Sequence, residues 1–377
     1  MSAASATDAV GYALIGGGRF GLFACQQHRS LKEVRLRAVA DIDPHAARRT
    51  AASLGVEAAG TVDDVLARDD VQLVYIAAPP WTHRELTEKA LNAGKHVLCE
   101  KPLAVTLEEA RAMIELAQQR GRLLVANLLM RYNPLCEAVR QLIDQRSFGE
   151  PLHGFFENYA KDEILPPDHW FWDPQKSGGI FVEHGVHFFD LFQWWLGEAQ
   201  LESAQAVRRP GAEFIEQVQA TWRYETGALV NFYHGFTQAE RMDRQEMRLL
   251  FERGTVQLFE WVPTMVEVDA LLDDHALAAL QELLPHAVVE PVASYRGEER
   301  RVTSRHKTYQ VDGRYRIRAD SGMSKDELYG HVVRGLLADQ VAALRDPAHV
   351  RRVTERNGYD ALAQAVQAQR LAEANVQ

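Results

Sequence analysis

The stretch Val10-Gly-Tyr-Ala-Leu-Ile-Gly16-Gly-Gly18-Arg-Phe-Gly21 decides the fold of the first part of the chain. An apolar run ends in a glycine-rich turn, and Gly16, Gly18 and Gly21 fill the pattern G-x-G-x-x-G just before a segment of helical periodicity. In a strand–turn–helix unit such glycines allow a tight turn and let a pyrophosphate approach the helix N-terminus. A glycine-rich turn that binds nothing has the same letters, so the flanking segments must support this interpretation.

Asp41 supports the interpretation of the glycine loop as a pyrophosphate-binding turn. This residue ends the next apolar run about 20 positions after Gly21, where an acid can hydrogen-bond a ribose 2′-hydroxyl. The alternative for Asp41 is a turn or helix cap. A carboxylate there repels a 2′-phosphate, and Asp43 adds a second negative charge, so NAD is favoured over NADP. Arg48 and Arg49 in the following helix keep NADP open.

The rest of the chain predicts two domains. From Val10 to about Asn127 short apolar runs alternate with helix-period segments, which is typical of a doubly wound parallel sheet, the Rossmann fold. After Pro134 longer alternating runs predict an α+β domain with a mostly antiparallel open sheet. We place the dinucleotide-binding domain at 1–128 and the substrate and oligomerisation domain at 129–377, with a C-terminal helix able to pack back on the first domain. From Leu271 to Arg318 we expect an irregular segment.

Composition excludes several partners. A net charge of -10 argues against nucleic acid, and no window reaches the apolar length of a membrane span. The three scattered cysteines and the absence of a targeting pattern at the N-terminus predict a cytoplasmic protein. The basic run from Arg296 to Arg318 is either a patch for an anionic ligand or, more commonly, a solvated face.

Two segments that follow predicted strands are expected to lie at the same edge of the parallel sheet. One is Pro79-Pro80, followed by Trp81-Thr82-His83, and the other is Glu100-Lys101-Pro102. The carboxyl ends of parallel strands form the ligand-binding edge of a doubly wound sheet. Lys101 is therefore a candidate electrostatic catalyst, although most lysines are simply solvated.

A later segment carries candidate proton-transfer groups, because Glu183, His187 and Asp190 stand at i, i+4 and i+7 and share one face of a helix. A histidine that titrates near neutral pH can take the proton released when an alcohol is oxidised, and a carboxylate can orient it. Two alternatives stay open: Asp190 and His187 pair in a core, or His184 and His187 with Glu183 bind a metal. We expect no metal, because the stronger zinc signatures are absent.

Together these motifs resemble the glucose-fructose oxidoreductase, inositol dehydrogenase and rhizopine-catabolism family, written Gfo/Idh/MocA, over nearly the whole chain. The motifs that carry the resemblance follow a specific order: the glycine loop Gly16 to Gly21, Ala40-Asp41, Pro79 to His83, Glu100-Lys101-Pro102, Arg131-Tyr132-Asn133-Pro134, and Gly178-Gly179 followed by Gly185-x-His187-x-x-Asp190.

The resemblance implies an NAD(P)-dependent dehydrogenase that oxidises a secondary hydroxyl of a neutral sugar, anhydrosugar or cyclitol, and a homodimer or homotetramer formed through the C-terminal sheet. Lys101 and His187 map to the family's catalytic pair, and Glu183 stands where many members carry Asp. The alternatives are a glycosidase-like or lyase-like enzyme with tightly bound NAD, which oxidises its substrate transiently, and a non-catalytic cofactor-binding regulator.

The predicted site residues fall into three groups. The catalytic residues are Lys101, His187 and Glu183. The cofactor-binding residues are Gly16, Gly18, Arg19, Phe20, Gly21, Asp41, Ile42, Pro79, His83, Glu100 and Lys101. The substrate-binding residues are Lys101, Arg131, Trp170, Trp172, Glu183, His184 and His187, where the tryptophans either stack on a sugar or seal a domain junction.

Overall fold

A computed structural model describes residues 9–161, 165–166, 168–304 and 306–376. The described residues fall into two compact units. The first contains those up to Leu129 together with Asp168–Asp190 and Gly330–Val366, and the second contains those of Met130–Pro167, Leu191–Tyr329 and Gln367–Gln377. The first unit therefore also takes up two segments from the later part of the chain. The first eight residues, on which the targeting prediction drew, lie outside the described part.

The first part of the chain alternates strands and helices in this order: β1 (Val10–Ile15), α1 (Arg19–His28), β2 (Val34–Ala40), α2 (Pro44–Leu54), β3 (Glu57–Ala58), α3 (Val62–Leu66), β4 (Leu73–Ile76), α4 (His83–Asn92), β5 (His96–Cys99), α5 (Leu107–Arg120) and β6 (Leu124–Ala126). The chain continues with α6 (Pro134–Asp144), β7 (Pro151–Lys161), α7 (Pro174–Ser177), α8 (Val186–Leu196), β8 (Ala199–Val207), β9 (Gln217–Tyr224), β10 (Leu229–Gln238), β11 (Arg244–Phe251), β12 (Gly254–Phe259), β13 (Met265–Leu272), α9 (Asp274–Leu283), β14 (Val288–Ser294), β15 (Arg301–Thr303), β16 (Thr308–Gln310), β17 (Gly313–Asp320), α10 (Lys325–Arg345) and α11 (Glu355–Ala374).

The sheet of the first unit has the order β3-β2-β1-β4-β5-β6, and its strand pairs are parallel. This confirms the doubly wound fold. The two central strands, β1 and β4, carry no charged residue because both faces of a parallel sheet are covered, and β4 is buried over its whole length. The sequence did not predict β3, because two residues are too few for a periodic pattern.

The sheet of the second unit has the order β14-β17-β13-β12-β11-β7-β10-β9-β8. Only β7 and β10 pair in parallel among the described neighbours, so the prediction of a mostly antiparallel sheet is confirmed. Along β7 buried residues alternate with half-buried ones, as in a sheet with one face on a core.

The segment from Leu271 to Arg318 is regular, and the prediction of an irregular segment was wrong. It contains α9, β14 and most of β17, which extend the sheet, and the β15–β16 hairpin. Charged residues that alternate with Ile317 and Ala319 hid the strand pattern of β17.

The arginines of β17 belong to the basic run of the sequence, and they pair with acidic residues of a neighbouring strand. Arg314 pairs with Asp269 at 2.7 Å, and Arg318 pairs with Glu267 at 2.8 Å, both on the neighbouring strand β13. Cross-strand pairs of opposite charge stabilise a sheet. Within the described residues the arginines of β17 therefore complete a mixed-charge sheet face. Arg305, in the same run, lies outside the described residues.

Among the described residues no helix has the length and apolar character needed to cross a membrane. Cys25, Cys99 and Cys136 are each buried as free thiols.

His28 is a buried titratable group at the end of α1. Its ring packs edge-on against Tyr12 of β1 and Tyr75 of β4, and Nδ1 lies 3.4 Å from the Tyr12 hydroxyl. Burial, together with the nearby Arg334, lowers the pKa of His28 to about 3. The fold therefore holds this imidazole neutral, and its contribution to stability is fully present above the unfolded pKa near 6.5 and declines as the pH falls toward 3.

We predict that His28→Phe makes the protein less sensitive to acid. The phenyl ring keeps the packing between the two tyrosines but cannot bind a proton. Between pH 7 and pH 5 the wild type should lose roughly 2 kcal/mol more stability than the variant, because one proton binds only to the unfolded chain. Urea midpoints at both pH values measure the difference, and equal losses in the two proteins would contradict the assignment to His28.

Candidate active site

The glycine loop between β1 and α1 is shaped by close backbone contacts. Gly16 has φ +103°, and a Cβ there would lie 2.3 Å from the carbonyl oxygen of Ala77. A Cβ at Gly21 would lie 2.5 Å from the carbonyl oxygen of Gly16. At Gly18 a Cβ would meet no described atom within 4 Å, and no described side chain caps the N-terminus of α1 there. The loop therefore leaves open backbone where a pyrophosphate binds in this kind of turn.

Asp41 follows β2 and is fixed by two backbone donors. Its Oδ2 accepts a hydrogen bond from Gly17 N at 2.6 Å, and its Oδ1 accepts one from Asp43 N at 2.8 Å. A carboxylate oxygen can accept more than one hydrogen bond, so Asp41 keeps capacity for ribose hydroxyls. Arg49 lies 3.8 Å from Asp43, and Arg48 hydrogen-bonds His45, so both arginines have partners within their own helix and its cap.

A cavity of about 1140 Å³ runs along the carboxyl edge of the parallel sheet, and its lining belongs to the first unit. Thirteen of the predicted site residues line it: Gly16, Gly18, Arg19, Phe20, Gly21, Asp41, Ile42, Pro79, Glu100, Lys101, Trp170, Glu183 and His187. The cavity thus brings together the glycine loop, Asp41 and the predicted catalytic groups.

Sequence reasoning missed several lining residues, namely Gly60, Thr61, Val62, Glu85, Leu86, Lys89 and Leu129. The first three follow the unrecognised strand β3. Thr61 caps α3 with a capping box to Asp64, a pattern that is visible in the sequence but carries no information about a ligand. The others lie on α4 or in turns whose spatial position depends on the folded chain.

His83 does not line the cavity, although it was predicted to bind the cofactor. Its ring is fully buried, with Nδ1 2.8 Å from the carbonyl oxygen of Pro102 and Nε2 2.8 Å from that of Ala78. Burial lowers the pKa of His83. The ring therefore positions the main chain of the cavity wall, because it lies between the backbone after β4 and the peptide that follows Lys101.

Glu100 is held under the cavity by side chains from neighbouring strands. Its Oε1 accepts hydrogen bonds from the hydroxyl of Tyr75 and from Asn127 Nδ2, the latter at 2.7 Å. Burial raises the pKa of Glu100 above its ordinary value, although the hydrogen bonds and the Lys101 charge act against it. This carboxyl group is an acceptor fixed at the end of β5.

Lys101 and Glu183 form the ion pair at the centre of the site. Lys101 Nζ donates to Glu183 Oε1 at 2.6 Å and to the Glu183 carbonyl oxygen at 2.8 Å. The other carboxylate oxygen of Glu183 lies 3.0 Å from His184 Nε2. An ammonium group has three hydrogens, so two acceptors leave one for a ligand.

The charges of this cluster set the protonation of its members. Burial acts to raise the pKa of Glu183, but Lys101 and His184 outweigh it, and the pKa lies below its ordinary value. Burial and the Lys101 charge hold the pKa of His187 well below its ordinary value, although Glu183 acts in the opposite direction. At neutral pH the site therefore presents a carboxylate and a neutral imidazole, which is the basic form of histidine.

The backbone around Glu183 differs from the continuous α-helix that the i, i+4, i+7 spacing assumed. Phe181–Gly185 forms a π turn, and α8 begins at Val186. Such turns are frequent at functional sites because they change the direction of side chains. Glu183 and His187 both reach the cavity, whereas Asp190 is buried and is not among the lining residues.

Three predicted substrate-binding residues have other surroundings. His184 orients Glu183, and its ring packs edge-on against Phe171. Trp172 packs edge-on against the same phenyl ring. Arg131 is buried in the second unit, where its guanidinium lies 5.7 Å from the centre of the Trp194 ring. Among the described residues no group of His, Cys, Asp or Glu side chains is arranged to hold a metal ion.

Fold and site together define a dinucleotide-binding protein with a lysine, a carboxylate and a histidine at the carboxyl edge of its parallel sheet. Residues 10–128 match the model of an oxidoreductase family with an NAD-binding Rossmann fold, and residues 136–257 match the GFO/IDH/MocA C-terminal domain. The chain belongs to the Gfo/Idh/MocA family, as the resemblance predicted.

Two curated relatives and one solved structure illustrate the similarity. The inositol 2-dehydrogenase of Rhizobium meliloti is 33% identical over 50% of this chain and 56% of that protein. The 1,5-anhydro-D-fructose reductase of Ensifer adhaerens is 33% identical over 47% of this chain and 54% of that protein. The chain therefore spans about half the length of the curated relatives it matches. The crystal structure of an oxidoreductase domain protein from Kribbella flavida has a TM-score of 0.75 at 20% identity, covers 97% of both chains, and shows the shared fold.

We predict that Gly21→Ala weakens binding of NAD(P) at least tenfold, because its Cβ would press on the Gly16 carbonyl and displace the loop where a pyrophosphate would bind. NAD titration by calorimetry measures the effect. Gly121→Ala is the control outside the cavity: the backbone there is left-handed, at φ +61°, so the substitution is strained, but no described atom lies within 4 Å of the added Cβ. It should lower stability without changing NAD affinity. Unchanged affinity in Gly21→Ala would contradict the assignment of the loop.

Proposed function

We propose that the protein is an NAD-dependent dehydrogenase that moves a hydride between the cofactor and a secondary hydroxyl or ketone of a neutral sugar, anhydrosugar or cyclitol. One observation carries the proposal: a neutral histidine, His187, and a carboxylate-bound lysine, Lys101, line the same cavity as the glycine loop. The names of the two curated relatives, which act on inositol and anhydrofructose, support this substrate class.

Asp41 supports NAD as the cofactor. Its carboxylate stays in the cavity wall, where a 2′-phosphate would meet a negative charge. Ile42 beside it is fully exposed and brings no cation. The two arginines of α2 that could bind a phosphate are engaged with His45 and Asp43.

In the proposed alcohol oxidation, different residues transfer the proton and stabilise the developing charge. When bound, NAD supplies the nicotinamide ring that accepts the hydride from the carbinol carbon. His187 accepts the hydroxyl proton as its general base, since a neutral imidazole carries a basic ring nitrogen. The third hydrogen of Lys101 Nζ donates to the same substrate oxygen and stabilises the negative charge that develops there. In the reverse direction His187 returns the proton to the ketone oxygen.

Glu183 has two functions in this scheme: it positions Lys101, and it contributes to the choice of substrate. It holds the Lys101 ammonium in place, and its own position is fixed by His184. A glutamate extends about one carbon–carbon bond farther than the aspartate that many family members carry, so its carboxylate meets the substrate at a different hydroxyl. We propose that this residue contributes to the choice of substrate within the class.

We further propose that the protein is a cytoplasmic homodimer or homotetramer formed through the sheet of the second unit. The support is the half-buried face of β7, where Arg248 lies 4.7 Å from the ring centre of Phe155 and Arg244 lies 4.8 Å from that of Tyr159. Rings covered by guanidinium groups on this sheet face provide the mixture of aromatic and arginine residues that is enriched at interfaces.

The proposed function is tested by following NADH absorbance while sugars, anhydrosugars and inositols are added with NAD and then with NADP. We expect NADH to form with one substrate class and the rate with NADP to be much lower, because of Asp41. Cleavage or rearrangement of a glycoside without net NADH would instead favour transient oxidation by tightly bound NAD. NAD binding with no change in any compound of the panel would contradict the enzymatic proposal.

We predict that His187→Asn lowers the turnover number by roughly 10²- to 10⁴-fold while NAD binding is retained, because the general base is lost. Lys101→Met should also lower turnover strongly, since no cation then faces the developing alkoxide. Steady-state rates together with NAD titrations separate these effects. The control is His275→Asn, on the exposed side of α9, which should change neither quantity. Full activity in both site variants would refute the catalytic pair.

A further inference from the structure

An aromatic rim borders the catalytic end of the cavity and consists of Trp81, His169 and Trp170. The Trp81 and Trp170 rings lie 5.5 Å apart between centroids, and the His169 ring lies 5.3 Å from that of Trp170. Trp170 and His169 line the cavity, as do Pro80 and Thr82 on either side of Trp81. The rim therefore leads from the cavity wall toward solvent.

The exposure of Trp81 is the unusual feature of this rim. The residue is 39% exposed, although burial of an indole ring is energetically favourable. Two short 3₁₀ turns, Pro80–Thr82 and Trp170–Trp172, hold the two indoles against each other from segments far apart in the sequence. A large aromatic surface held rigidly beside a cavity is typical of a ligand-binding surface.

Polar groups stand next to the exposed indole. Lys176 Nζ lies 5.9 Å from the centre of the Trp81 ring and 3.3 Å from Asp173 Oδ2. Both side chains are exposed and can exchange hydrogen bonds with hydroxyl groups. The Lys176 charge is already matched by Asp173, so this cluster does not provide the surplus cation that a phosphate or diphosphate group requires.

We propose that the rim binds a second sugar ring of the substrate, so that the enzyme acts preferentially on glycosides over free monosaccharides or cyclitols. The inference rests on the proposed function and names its substrate class more closely. A pyranose has an apolar face of C–H groups that stacks on an indole and a rim of hydroxyls that suits the Lys176–Asp173 pair. The reacting ring then lies beside His187 and Lys101, and the attached ring lies on Trp81.

This second ring takes no part in the oxidation, but its binding energy raises kcat/KM by holding the reacting hydroxyl in position. The bonds that change stay those of the carbinol group. The glycosidic bond is unaffected, and the attached ring leaves with the product.

The experiment compares matched pairs of one-ring and two-ring compounds: glucose with cellobiose and maltose, galactose with lactose, and myo-inositol with galactinol. Two quantities are measured with NAD present: binding, by tryptophan fluorescence, and kcat/KM, by NADH formation. We expect the two-ring member of at least one pair to bind more tightly and to have the higher kcat/KM.

Substitutions at Trp81 test whether this residue is responsible for the preference for two-ring compounds. Trp81→Ala should lower the affinity and kcat/KM for the two-ring compound by about tenfold and leave those for its one-ring partner unchanged, because an aromatic contact of this kind contributes about one power of ten. Trp81→Phe should retain most of the preference. The control is Met242→Ala, an exposed apolar residue of the second unit, which should change neither member.

Two results would overturn the proposal: equal binding of both members in every pair by the wild type, or an equal loss for both members in Trp81→Ala. Failure of the proposed function has a different signature. In that case no compound yields NADH, while the fluorescence titration still shows whether the rim distinguishes two rings from one.

Discussion

The ion pair between Lys101 and Glu183 is the interaction on which the rest of the site depends. It joins the end of β5 to a π turn that follows 82 positions later in the chain. Taking two charges out of water is costly, and the attraction offsets this cost only when the geometry is good and further hydrogen bonds are made. Here the carbonyl of Glu183 and the ring of His184 supply those hydrogen bonds. The pair is thus a fixed point around which the neighbouring groups are arranged.

The backbone supports of this pair lie in separate elements. His83 connects the end of β4 to the carbonyl of Pro102, and Glu100 is tied to Tyr75 and Asn127 on the flanking strands. Since His83, Tyr75 and Asn127 are buried, the main chain on either side of Lys101 is held firmly. Part of the cavity wall is therefore main chain that side chains behind the wall, such as His83 and Tyr75, hold in place.

The sequence predicted the parts of this structure that depend on local pattern. The glycine loop, Asp41 and the strands of the parallel sheet follow from the spacing of glycines and apolar runs. Local start and stop signals also mark helix ends: Pro44 begins α2, and Thr106 and Gly121 flank α5. It could not predict β3, which is too short, or β17, whose alternating arginines pair with acids on another strand. The wall residues on α4 and the orientation of His83 depend on tertiary packing, so no spacing rule reveals them.

The polarity of the ion pair also determines the chemistry that the neighbouring histidine can perform. Burial alone lowers the pKa of His187, and the ammonium of Lys101 lowers it further, whereas the carboxylate of Glu183 acts to raise it. The negative charge of Glu183 favours an imidazolium, which cannot accept a proton, but the Lys101 ammonium beside it opposes that effect. Because burial and the lysine charge together outweigh the carboxylate, the pKa of His187 stays low and the ring stays neutral. Burial and the lysine that this contact positions therefore keep the histidine in the neutral form, which the proposed alcohol oxidation requires.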